Sequence, residues 1–400
     1  MKIRRNKKML FKIALTLILG LAIATYFLMK YSHIDEFDKE TVILAGSEDP
    51  PVVTKDNSMI HFMEKEHMKI PVDKNVVHLA VVVCGERFAE TMVLLKSAVV
   101  LTKKKLYFHI IAEDELHDKF ETALKHWPAD IKARLHFTVY PLSFPKQNTD
   151  EWKRLFKRCA SQRLFLPSML HDVDTVLYVD TDTLFVTSLD DFWNHLEAFN
   201  STQIASMTVE TENAATGWYN RFALHPYYGE TGMNSGVMLM NLTRMRQVSW
   251  EQRMQQFYSQ YKFKIVYGDQ DLINIYFSQY PDQIYATSCE WNYRPDQCMY
   301  INDCKSKDNI RVIHGSRRCF HNEKQPAFKA VYDAFKYYEL GSEVTTNLID
   351  AIKTNLLDTQ ETNCGKVSHL FYKNLEDHIA RIRSDATNHF EEIEQNRTER

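Results

Sequence analysis

Apolar and polar positions divide the chain into stretches of different rhythm. From Ile13 to Met29 no charged residue interrupts an apolar run, and starting it at Leu10, with Lys12 snorkelling, gives a segment over residues 10–30. A helix needs about 20 such residues to cross a bilayer. Residues 31–74 show little apolar periodicity and contain Ser47-Glu48-Asp49-Pro50-Pro51, the pattern of a flexible spacer. From residue 75 the pattern becomes an alternation. Residues 77–83, 106–112, 135–140 and 175–179 read as compact, β-branched or alternating strands. Residues 91–100, 116–127 and 154–166 carry helical spacing between them. Strand-helix alternation predicts an α/β domain over 75–340, built on a mostly parallel sheet with helices on its faces. Beyond Leu340, residues 341–400 read as a polar extension whose last part, 373–400, is an exposed helix or a disordered end.

The flanks of the apolar run decide its meaning. Lys2, Arg4, Arg5, Lys7 and Lys8 precede it, which keeps residues 1–9 cytoplasmic and sends everything after Lys30 to the lumen. A cleaved signal peptide would be shorter and followed by a small-residue cleavage site. Here the run ends in Tyr26-Phe27-Leu28-Met29-Lys30, an aromatic-basic interface, so a retained signal anchor in the ER or Golgi membrane is expected. In that oxidising setting the seven cysteines read as disulfide partners, and the odd number leaves one over. Cys289, Cys298, Cys304 and Cys319 cluster, with no Cys-x-x-Cys pair to suggest zinc. Asn200, Asn241 and Asn396 head glycosylation sequons; Asn241 closes an apolar run, where burial competes with modification. With 49 basic against 52 acidic side chains there is no basic excess for a nucleic-acid partner.

Parallel sheets bind ligands at the carboxyl ends of their strands. Asp180-Thr181-Asp182 follows the 175–179 strand directly, and two carboxylates one residue apart suit a hard divalent cation that also takes diphosphate oxygens. Asn234-Ser235-Gly236 opens another apolar run, where a backbone can approach a ligand closely. Asp269-Gln270-Asp271 precedes a helical stretch, and either acid also fits the role of helix cap or first-turn residue. The apolar run 312–313 ends in His314-Gly315. Each element occurs often by chance; their order is distinctive.

That order, on an α/β chain, resembles glycosyltransferase family 8 over about residues 76–340. Arg163, in Ser161-Gln162-Arg163-Leu164-Phe165-Leu166-Pro167, resembles the family's Arg-Leu…Pro element. Residues 289–295 (Cys-Glu-Trp-Asn-Tyr-Arg-Pro) and Lys324-Gln325-Pro326-Ala327-Phe328 after His314-Gly315 resemble signatures of its glucoside xylosyltransferases. The resemblance implies a GT-A-type nucleotide-sugar-binding fold, with Mn²⁺ held by Asp180, Asp182 and His314. Val82, Val83 and Cys84 would meet the uracil and ribose, and Arg163 would lie over the donor. Asn234, Asp269 and Gln270 would surround the transferred sugar, the last two as the catalytic candidates. Lys324 would take the diphosphate, with Arg317 or Arg318 as alternatives, since Lys324 stands ten residues past His314 rather than six. Trp291, Tyr293 and Arg294 are the expected acceptor contacts, and core packing is an equal account of the two rings. The implied reaction moves xylose from UDP-xylose, with retention, onto O-linked glucose of epidermal-growth-factor-like repeats. No carboxylate is clearly placed as nucleophile, so departing UDP is expected to accept the acceptor's proton. A relative using UDP-glucose or UDP-galactose, and an inactive lumenal scaffold, are the alternatives.

Overall fold

The computed structural model describes residues 75–155, 159–300, 304, 310–382 and 384. The expected cytoplasmic tail, membrane anchor and stem (1–74) and Asn396 lie outside them. Among the described residues no helix is long and apolar enough to cross a membrane.

The four predicted strands form as β1 (Val76–Val83), β2 (Lys105–Ala112), β3 (Leu135–Pro141) and β4 (Thr175–Val179), all mutually parallel. They are four strands of a seven-stranded sheet of order β3-β2-β1-β4-β7-β6-β8. β7 (Met233–Asn241) runs antiparallel to both β4 and β6 (Ala205–Val209), while β8 (Ile284–Thr287) is parallel to β6. The sheet is therefore mostly parallel as expected, with six of its seven strands running one way, and β7 alone makes it mixed. All nine residues of β7 are buried, and a strand covered on both faces carries no sign of its direction in its sequence.

Residue parity sorts the two faces. Val77, Leu79, Val81 and Val83 pack against Leu94, Leu95 and Ala98 of α1 (Phe88–Leu101). Ala80, Tyr178, Met238 and Met240 pack with Trp250 and Met254 of α2 (Trp250–Tyr261) and with Leu272 and Ile273 of α3 (Asp269–Gln279). Each buried Val, Leu, Ile or Met among them contributes about 1.5–3 kcal/mol of burial.

Three expectations need correction. The helix predicted over 154–166 is broken: helical turns end at Arg154, and Ala160–Phe165 is a 3₁₀ turn. Cys159 between them takes a left-handed φ of 64° and is joined to Cys84 by a disulfide. The boundary at 340 also fails. Leu348, Ile349, Ile352, Leu356, Leu370, Phe371 and Leu375 are buried in one cluster with Phe328, Val331 and Phe335 of α4 (Pro326–Tyr337). Polar residues dominate that stretch by number, but its few apolar ones lie at helical spacing and close a face of α4. A disulfide from Cys364 to Cys298 fastens it, a second joins Cys289 to Cys304, and Cys319 is the buried free thiol. Third, Asn241 is 8% exposed and its Oδ1 accepts from the Arg244 backbone N–H at 2.9 Å, capping the next helix, so it is withdrawn as a glycosylation site. Asn200 is exposed.

Candidate active site

β4 ends at Asp180-Thr181-Asp182, and the chain turns at once into β5 (Thr183–Phe185). β5 pairs antiparallel with β9 (Val312–His314), setting Thr183 opposite His314, and Gly315 N–H donates to the Asp182 carbonyl at 2.7 Å. This short ladder brings the histidine to the two aspartates. His314 Nε2 lies 3.3 Å from Asp182 Oδ1 and 3.8 Å from Asp180 Oδ2. Room for the ring comes from Gly236, where a Cβ would stand 2.2 Å from His314 Cε1.

A chain of amides sets the imidazole tautomer. The Gly236 backbone N–H can only donate, and it donates to Asn234 Oδ1 at 3.0 Å. Asn292 Nδ2 donates to the same oxygen at 2.8 Å, which turns Asn292 Oδ1 toward His314 Nδ1 at 2.9 Å. Nδ1 therefore carries the proton, and the Nε2 lone pair faces two carboxylates. Three acceptors converge with their ligand atoms within 4.8 Å of one another. Two oxygens and one imidazole nitrogen so placed fit a divalent cation. Because Asn292 fixes the ring, Asn292→Ala is expected to weaken divalent-cation binding about 10–100-fold while leaving the three ligands in place. Calorimetric titration with Mn²⁺ reads this; an unchanged affinity would make Asn292 a packing residue only.

Arg163 organises the acids around this point. It is buried over the Tyr178 ring, 4.6 Å from its centroid. Its Nη2 lies 2.8 Å from Asp180 Oδ1, its Nε 2.6 Å from Asp269 Oδ2, and its Nη1 donates to the Ser235 carbonyl at 2.6 Å. Burial disfavours the charge, yet the two carboxylates hold the guanidinium above its ordinary value. Tyr178 also donates to Asp180 Oδ1, at 2.9 Å. Asp180 thus spends one oxygen on Arg163 and Tyr178 and turns the other toward His314. Asp269 is the first residue of α3, behind Gly268 with φ of 67° at the cap. Burial pushes its carboxyl up to about 6, with Arg163 opposing.

These groups line a cavity of about 530 Å³. Val82, Cys84, Arg163, Asn234, Asp269, Gln270, Asp180, Asp182 and His314 all reach it. Of the rest of the expected set, Val83, Trp291, Tyr293 and Lys324 do not. Val83 points to the opposite face of the sheet from Val82, into the core with α1. Trp291 is stacked on Phe192 at 4.7 Å, and Tyr293 lies buried and parallel to Phe328, so both rings are core. Arg294 touches the cavity wall, but its guanidinium is 1% exposed and serves the Glu210 carbonyl and carboxylate and the Asn292 carbonyl. Lys324 is exposed and away from the cavity. Arg317 and Arg318 adopt left-handed backbone after Ser316, and it is Arg317 that reaches the wall, paired with Asp296 at 2.5 Å.

Glu210 was missed, though a carboxylate ending the buried strand β6 is the same signal as Asp180 after β4. Its Oε2 accepts from Asn234 Nδ2 at 2.9 Å and Gln270 Nε2 at 3.2 Å. Trp218 and Tyr267, also in the wall, gave no sequence signal beyond their glycine neighbours Gly217 and Gly268.

Residues 78–316 match the model of glycosyl transferase family 8. Glucoside xylosyltransferase 1 of Gallus gallus is 47% identical over 316 residues, 76% of this chain and 72% of that protein. The Homo sapiens protein of the same name is 48% identical, over 76% and 71%, and glucoside xylosyltransferase 2 of Xenopus laevis 46%, over 76% and 75%. A solved galactosyltransferase, LgtC, with donor and acceptor sugar analogues, shares the fold at a TM-score of 0.50 and 16% identity. That match covers 68% of this chain and 100% of that one.

Proposed function

This chain belongs to glycosyltransferase family 8, and from that premise we propose that it transfers xylose from UDP-xylose to glucosides. The observation that carries this reading is the meeting of Asp180, Asp182 and His314 beside Asn234, Asp269 and Gln270 in one cavity. Identity above 45% to glucoside xylosyltransferases over three quarters of the chain supports the choice of sugar.

Asp180, Asp182 and His314 are the residues that would hold the cation, taken here as Mn²⁺, which when bound supplies Lewis acidity to the diphosphate leaving group. The protein's own groups do the positioning. Arg163 keeps Asp180 and Asp269 at fixed separation, and the Asn234–Glu210–Gln270 network offers amide and carboxylate partners to sugar hydroxyls. Glu210 and Asp269 are both engaged, by Arg294 and amides and by Arg163 respectively, so neither stands presented as a nucleophile. We assign a front-face displacement with retention: the bond from the anomeric carbon to the diphosphate breaks as that to the acceptor oxygen forms. The acceptor's proton passes to the departing UDP. Preorganised charge at the leaving group carries most of the acceleration.

Our reading of the acceptor is an O-linked glucose on epidermal-growth-factor-like repeats, joined through an α1,3 bond. The setting we propose is lumenal, in the ER or Golgi, with residues 10–30 as a single anchor; three disulfides are consistent with an oxidising compartment. Protease added to sealed microsomes should leave the catalytic part intact until detergent is added; digestion without detergent would refute the topology.

The donor test follows from sterics. Xylose lacks the hydroxymethyl of glucose, and a pocket that fills that space rejects the larger sugar, whereas one methylene of extra binding is worth only about 1–3 kcal/mol. With a panel of UDP-sugars, UDP-xylose should be used and UDP-glucose poorly. Comparable turnover of UDP-glucose or UDP-galactose would remove the xylosyl assignment and leave a transferase; no cation-dependent UDP release from any donor would leave a scaffold.

A further inference from the structure

Of the seven large apolar side chains exposed among the described residues, four fall on two short segments: Phe222 and Leu224, and Phe263 and Val266. Phe263 is 92% exposed and Leu224 62%. Both segments reach the mouth of the catalytic cavity, since each also contributes an aromatic to its wall, Trp218 from one and Tyr267 from the other. Those two rings meet edge to face at 4.8 Å, and Tyr219 meets Tyr267 at 5.5 Å.

The junction is tied from beneath by Asp271, the member of Asp269-Gln270-Asp271 with no place in the chemistry above. Its side chain is fully buried. Its Oδ2 accepts from the Val266 and Tyr267 backbone N–H groups at 2.6 and 2.7 Å. Its Oδ1 accepts from Tyr219 at 2.8 Å and lies 3.1 Å from His225 Nε2. One carboxylate thus holds both segments in register.

Their charge is one-sided. Residues 217–224 and 261–267 contain Arg221, Lys262 and Lys264 and no acid. Arg221 lies over the Phe222 ring and Lys262 over the Phe263 ring, at 6.0 and 5.3 Å. A sugar needs only the cavity. Exposed apolar groups under a basic rim, continuous with that cavity, are the surface a protein partner uses.

We infer that these two segments form a docking ledge for the polypeptide that bears the acceptor sugar, and that this polypeptide is acidic on the face it presents. The inference rests on the acceptor being a glucoside. Turnover is measured on two acceptors: a folded, acidic, O-glucosylated epidermal-growth-factor-like module and a small aryl glucoside. The variants are Phe222→Ala with Leu224→Ala, and Lys262→Glu with Lys264→Glu; all four side chains are exposed and outside the catalytic machinery. For each pair the KM for the module should rise on the order of tenfold, with KM for the small glucoside, UDP release and melting temperature unchanged. Added salt should raise the wild-type KM for the module, and do so less in the Lys262→Glu, Lys264→Glu protein. Equal losses on both acceptors, or no loss on the module, would overturn the ledge. If the wild-type protein glycosylates neither acceptor, the glucoside reading itself fails, and that appears before any variant is made.

Discussion

Asp180→Asn and Asp182→Asn are each expected to lower cation-dependent turnover on the order of 10²–10³-fold while the protein stays folded. Each change removes one anionic ligand from a set of three whose atoms lie within 4.8 Å of one another. Asp180→Asn keeps an oxygen for the Tyr178 hydroxyl and takes away the charge that balances Arg163, leaving Asp269 as the remaining partner. Asp182→Asn leaves the backbone ladder to Gly315 untouched, because that bond uses the carbonyl. Melting should therefore shift by only a few degrees, about the 2–4 °C that 1 kcal/mol produces in a domain of this size class. Turnover at saturating Mn²⁺ and a melting curve check the pair together. Near-normal turnover would dismiss the cation site, and a melting loss like that of a core truncation would make the acids structural.

Ending the chain after Leu340 is expected to abolish folding, and activity with it. Leu348, Ile349, Ile352, Leu356, Leu370, Phe371 and Leu375 would be lost, uncovering Phe328, Val331 and Phe335. Seven buried side chains at about 1.5–3 kcal/mol each rival the whole net stability of a typical protein, roughly 5–15 kcal/mol. The Cys298–Cys364 disulfide goes too. It closes a loop for which chain entropy alone predicts about 4 kcal/mol. Its loss reaches the site, because Cys289 and Cys298 flank the segment that carries Asn292 to His314. Circular dichroism and a secretion assay of the shortened protein report the outcome; a soluble, cooperatively melting product ending at 340 would restore the polar-extension reading.

Much of the site was legible from sequence because its chemistry is local. Asp180 and Asp182 are named by the apolar strand before them, and His314 by the run it ends. Asn234 and Gly236 open the apolar run that forms β7. Alternation of strands and helices sufficed for the α/β class, and the same residue-by-residue pattern identified the family. What remained hidden is what depends on facing direction. Val82 and Val83 are chemically alike, and only strand pairing puts one in the cavity and the other against α1. Trp291, Tyr293 and Arg294 sit in a segment that does reach the site, yet their side chains turn to core and to Glu210, while the uncelebrated Asn292 between them holds the histidine.

Sequence by itself determined that two carboxylates follow one buried strand and a histidine ends another apolar run, which are residue types a divalent cation takes. Tertiary structure alone decided that β7 runs backwards, that β5 pairs with β9, and that residues 348–375 are core. A fully buried strand reads the same in either direction, a three-residue strand has no periodicity to read, and a few apolar residues in a polar stretch acquire meaning only from the helix face they cover.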